Sequence, residues 1–77
     1  MAYHRLDRLL GWNLRQFRIR AKLTQADLGE AIGVTCQQIQ KYESGANRIS
    51  AVRLFMASKV LQVPIEVFYE ETRAVSS

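Results

Sequence analysis

With one cysteine and one histidine in 77 residues, Cys36 has no partner for an intramolecular disulfide. Nor can it join His4 in a zinc site at any usual ligand spacing, so disulfide and metal staples are excluded. One proline and four glycines suit a helical protein better than a sandwich of short strands, and the nearly half hydrophobic composition argues against a disordered chain. No apolar run reaches the length of about eighteen residues needed to cross a membrane, and the opening MAYHRLDRLL has no stretch of signal-peptide character. A cytoplasmic location is the expectation. The chain also lacks a paired nucleophile and base, a paired acidic cluster and a phosphate-cradling glycine loop. No enzyme activity, cofactor or small-molecule ligand is therefore expected.

A chain this short supports one small domain, which buries only about 60% of its unfolded surface. That domain is expected to span residues 1–70, with 71–77 as a short flexible tail. The formal net charge is +4, and the excess is uneven. Up to Lys41 there are seven Lys or Arg against Asp7, Asp27 and Glu30, whereas beyond it four balance four. A lopsided positive field favours a polyanionic partner, although a basic surface kept for solubility has the same composition.

Apolar residues recur at helical spacing. Leu6, Leu10, Leu14, Phe17 and Ala21 line one face of a first helix, and Leu9, Trp12 and Ile19 form a second strip that predicts a second neighbour. Thr24 can cap a second helix starting at Gln25, with Asp27 in its first turn and Leu28 and Ile32 inward. Gly33 ends it and Thr35 caps a third helix almost at once. So short a connection requires a steep crossing, and Gly29 removes a side chain where the backbones approach. Ile39 and Tyr42 point inward from the third helix, which Gly45 stops. Ser50 caps a fourth helix marked by Ala51, Leu54, Ala57, Ser58 and Leu61. Pro64 fits the first turn of a short fifth helix through about Tyr69. The predicted architecture is all-α, a compact five-helix domain.

With Ile39 and Tyr42 inward, Cys36, Gln37, Gln40 and Lys41 fall on the outward side. That side has no carboxylate before Glu43. A face without acids suits close approach to phosphates, and glutamine pairs a donor and an acceptor that match the N6 and N7 edge of adenine in the major groove. Glutamines are also ordinary helix formers on a wet surface, and the residues by themselves leave both readings open.

The stretch TQADLGEAIGVTCQQIQKYESG resembles the helix-turn-helix of the lambda repressor and Cro superfamily, small bacterial and phage transcriptional regulators of the xenobiotic-response-element type. The pattern is carried by Thr24, Gln25, Leu28, Gly29, Gly33, Val34, Thr35, Ile39, Glu43 and Gly45. LGWNLRQFR resembles the family's first helix and LFMASKVLQVPIEVF its fourth and fifth, so about sixty residues are covered. Within the superfamily, QQIQKYESGANRI and VPIEVFYE look closest to a group of alphaproteobacterial regulators.

The resemblance implies a helix-turn-helix at helices two and three, with helix three, about residues 36–44, in the major groove of double-stranded DNA. It places Cys36, Gln37 and Lys41 at base-contacting positions; Gln40 joins them on geometry. Gln25, Thr35, Asn47 and Arg48 match positions that meet phosphates. Arg18 and Glu43 match a buried ion pair between the first and third helices. Lys22 and Gln62 depart from the pattern, standing where relatives often have glycine. Cys36 also departs from it: a thiol at a helix N-terminus invites a redox reading, but contact with a thymine methyl is the simpler role.

The function implied is a sequence-specific DNA-binding regulator, with a repressor as the expected role, without catalysis. A homodimer on a palindromic operator is expected, because one helix reads few base pairs and Val52, Phe55, Met56, Phe68, Tyr69 and Val75 offer apolar surface. Two alternatives are an antitoxin or other protein-interaction module, and a restriction-modification controller protein. The few residues after Tyr69 are expected to leave little room for a toxin-binding segment.

Overall fold

In the computed structural model, which describes residues 5–71, the chain runs through α1 (Arg5–Arg20), α2 (Gln25–Ile32), α3 (Cys36–Ser44) and α4 (Ala51–Leu61), and closes with a 3-10 helix (Ile65–Tyr69). No strand occurs among the described residues. His4, Val75 and the expected tail from residue 72 onward lie outside them.

Side chains supply what the helix ends lack. Thr24, Thr35 and Ser50 stand in extended backbone at the N-caps of α2, α3 and α4, and their hydroxyls accept from the N–H of Asp27, Gln38 and Arg53. Gly33 and Gly45 close α2 and α3 with φ of 80° and 83°. The other two ends carry a side chain in the same left-handed region, Lys22 with φ 63° and Gln62 with φ 59°. Each costs about 1–2 kcal/mol that glycine would not. Both departures from the glycine pattern are therefore strained.

The inward stripe of α1 is shorter than its spacing predicts. Leu10 and Leu14 are buried and Phe17 packs against the core, but Leu6 is 51% exposed and Ala21 lies exposed beyond the helix. Both ends of the stripe are thus more exposed than its middle. Leu28 and Ile32 of α2, Ile39 of α3, and Leu54 and Ala57 of α4 complete the core, all at or near zero exposure. Burying each of the leucines and isoleucines contributes about 1.5–3 kcal/mol.

The fifth element is a single stretch of 3-10 helix, not an α-helix. Val67 N–H donates to the Pro64 carbonyl at 3.2 Å and Glu70 N–H to the Val67 carbonyl at 3.3 Å, both i to i−3 bonds. Five residues are too few for an α-helical ladder, and the carbonyls of Phe68 and Glu70 instead accept from Nδ2 of Asn13, both at 2.8 Å. Phe68 is thereby driven fully into the core, edge-on to Phe17 with ring centroids 5.8 Å apart. The second neighbour of α1 is thus the 3-10 helix, reached through Asn13 and Phe17. Trp12 and Ile19 remain nearly half exposed.

At Gly11, α1 and α3 meet backbone to backbone. A Cβ at Gly11 would strike the carbonyl oxygens of Tyr42 and Glu43, so only glycine lets the two helices lie this close.

Candidate nucleic-acid interface

The capping box at the start of α2 is complete: Asp27 N–H donates to Thr24 Oγ1, and Thr24 N–H donates to Asp27 Oδ2, each at 2.9 Å. The backbone N–H and then the hydroxyl of Thr24 hold the exposed Asp27 carboxyl below its ordinary value. At the other end of α2, Val34 N–H donates to the Gly29 carbonyl at 2.8 Å. Three residues, 33–35, separate α2 from α3. A Cβ on Gly29 would come within 2.6 Å of the Val34 carbonyl oxygen, so the tight turn needs the missing side chain there.

From this turn α3 projects with Ile39 and Tyr42 buried beneath it. Cys36, Gln37, Gln40 and Lys41 are all exposed, and Gln38 is half-buried. Cys36 Sγ lies 3.5 Å from Oε1 of Gln37, the one side-chain hydrogen bond in this group. Gln40 and Lys41 leave their polar ends to solvent. Thr35 is exposed at the entrance to α3, its hydroxyl occupied by the Gln38 N–H at 3.0 Å.

Glu43, the only carboxylate of α3, is turned away from that face. Its side chain is 4% exposed and lies on Arg18, with Nε to Oε2 at 2.6 Å and Nη2 to Oε1 at 3.2 Å. Arg18 also donates from Nη1 to the Leu23 carbonyl at 2.8 Å, and Gln25 donates from Nε2 to Glu43 Oε1 at 3.0 Å. One buried carboxylate therefore ties together the end of α1, the start of α2 and the end of α3. The geometry is a two-pronged arginine fork with its acceptor fully engaged.

Of the residues matched to phosphate positions, Gln25 is half-buried in this network and Thr35 and Asn47 are exposed. Arg48 is exposed too, but its guanidinium grips Asp7 of α1, Nε to Oδ1 at 3.0 Å and Nη2 to Oδ2 at 3.2 Å. That hydrogen bond, with the charge of Asp7, raises the pKa of Arg48 further. Only the donors left over by Asp7 face solvent.

Three features escape the periodicity of the sequence. Asn13 is a polar residue on the inner side of α1, and only the distant carbonyls it holds explain it. Gly11 interrupts a helix interior without an evident local reason. Asp7 pairs across 41 positions, beyond any local pattern. Among the described residues no group of three or more His, Cys, Asp or Glu could hold a metal ion, and no helix is long and apolar enough to cross a membrane.

Comparison with known proteins agrees with this geometry. The Helix-turn-helix family matches residues 14–68. An HTH-type transcriptional regulator of Sinorhizobium fredii, y4wC, is 49% identical over 67 residues, covering 87% of this chain and 47% of its own. A transcriptional regulator in the ATPase CF(0) region of Rhodospirillum rubrum is 48% identical over 68 residues, covering 88% of this chain and 63% of its own. The chain thus spans about half the length of the curated relatives it matches. Among solved structures, the P22 c2 repressor in complex with a synthetic operator superposes with a TM-score of 0.74 at 27% identity, over 82% of this chain and 96% of its own. A matched family spanning most of the residues, together with a shared tight turn and a shared architecture, makes this chain a member of the helix-turn-helix family of the lambda repressor and Cro type.

Proposed function

We propose that the chain is a sequence-specific, double-stranded-DNA-binding transcriptional regulator, a repressor that lays α3 in the major groove. The observation that carries this reading is the outward face of α3: Cys36, Gln37, Gln40 and Lys41 are exposed together while Glu43 is withdrawn and neutralised. Such a face meets phosphates without repulsion and presents amides to base edges. Gln37, Gln40, Lys41 and Cys36 are assigned to bases. Gln25, Thr35 and Asn47 are assigned to phosphates, as is Arg48 through the donors Asp7 leaves unused. The P22 c2 repressor, similar over most of this chain, was solved on an operator, which supports the same mode of use.

A homodimer on a palindromic operator completes the proposal. Val52 is 66% and Phe55 53% exposed on α4, an apolar face suited to a second copy. Phe68 no longer contributes to that surface, since it is fully buried in the monomer. A two-fold pair would set the two copies of α3 about 34 Å apart, one turn of duplex. The DNA-binding unit is taken as residues 1–70, acting in the cytoplasm without cofactor.

Selection of bound sites from random duplex DNA tests the reading. An enriched, two-fold symmetric site is expected, and Gln37→Ala should relax preference at particular base pairs by about 1–3 kcal/mol. Absence of any enriched sequence would remove the proposal.

A further inference from the structure

Lys22 closes α1 in left-handed backbone, its N–H on the Ile19 carbonyl at 2.9 Å and the Leu23 N–H on the Arg18 carbonyl at 3.2 Å. Gln62 closes α4 in the same way, its N–H on Lys59 at 3.3 Å and the Val63 N–H on Ser58 at 3.0 Å. This paired closure is the one that glycine makes without penalty. Strained backbone of this kind points to a use for the side chain that stands there.

The charge of Lys22 is also unspent. Arg5 pairs with Glu71, Arg18 with Glu43 and Arg48 with Asp7. Arg20 lies over the Phe17 ring and Lys59 over the Phe55 ring, while Arg53 Nη1 reaches Met56 Sδ. Among the described residues Lys22 has neither an acidic nor an aromatic partner and is exposed. Its position is nonetheless fixed. Leu23, next in the chain, accepts from Arg18, and Gln25, three residues on, donates to Glu43. Lys22 therefore stands at the rim of the network from which α3 projects.

We propose that Lys22 is a further phosphate contact of the bound duplex, a lysine kept in strained backbone because it sets an exposed ammonium in the turn that leads into α2. The inference rests on the DNA-binding reading above and adds a residue that the helix-turn-helix match does not supply. A lysine here acts as a point charge on the sugar-phosphate backbone and carries no base preference.

Lys22→Gly, Gln62→Gly and Lys22→Arg separate strain from charge. Both glycine variants should unfold several degrees higher than the parent chain. Only Lys22→Gly should weaken binding, by about two- to fivefold on selected and random duplex alike. It should also flatten the dependence of log K on log salt by about one per protomer, while Lys22→Arg keeps both affinity and slope. If Lys22→Gly binds with parental affinity and slope, the contact is overturned while the DNA-binding reading stands. If the parent chain itself binds no duplex, both fall together.

Discussion

Asn13 holds the carbonyl of Phe68 at 2.8 Å across 55 positions of the chain, and the same amide nitrogen reaches the Glu70 carbonyl. This single side chain docks the 3-10 helix on α1 and so seals the core over Phe17. Asn13→Ala would remove two hydrogen bonds and leave buried carbonyl groups short of donors. A loss of about 2–3 kcal/mol is expected, read from urea unfolding as a lower midpoint with an unchanged slope.

Glu43→Ala should be more damaging still. It would leave Arg18, whose side chain is 10% exposed, charged and without its partner, at a cost of about 3–5 kcal/mol. Gln25→Ala removes only one arm of the network and should cost about 1 kcal/mol, so the two variants should differ clearly in thermal midpoint. Equal losses would mean that the carboxylate gains nothing from Arg18.

The capping box makes a prediction about acid. The folded chain holds Asp27 below its ordinary 3.8 through Thr24. A depressed carboxyl stabilises the fold fully above the unfolded value and loses that contribution as pH falls through the lower folded one. Asp27→Asn should therefore lose less thermal stability than the parent chain between about pH 5 and pH 2. Parallel curves for the two would show that the carboxylate is not engaged in solution.

The apolar face of α4 makes a prediction about assembly. Val52 lies in the first turn of the helix, where a negative charge is well tolerated, so Val52→Glu should fold. In sedimentation at micromolar concentration it should be monomeric while the parent, on the proposal above, should be a dimer, and its affinity for a two-fold site should fall. A parent chain that is monomeric both free and on DNA would end the homodimer proposal.

Much of the fold is legible because local chemistry decides it. Thr24, Thr35 and Ser50 cap, Gly33 and Gly45 stop, and the spacing of Leu28, Ile32, Ile39 and Leu54 places the core. What periodicity misreads is extent. Leu6 and Ala21 continue the stripe of α1 but stay exposed, and the segment after Pro64 has too few residues to build an α-helix. Long-range polar contacts are not written in any local pattern. Asn13 with Phe68, Asp7 with Arg48 and Gln25 with Glu43 become visible only once α1 is placed against the rest. The outward set on α3 follows from its inward pair, Ile39 and Tyr42.

The bare contact at Gly11 has a consequence for how such a regulator changes its target. Where two rods touch main chain to main chain at one point and an arginine fork braces them further along, their spacing at that point is fixed, so the pose of α3 is inherited from its support. If α3 reads bases as proposed, exchanges at 37, 40 or 41 would alter which letters are favoured while leaving the mount untouched, and new preferences would need no compensating repair beneath them.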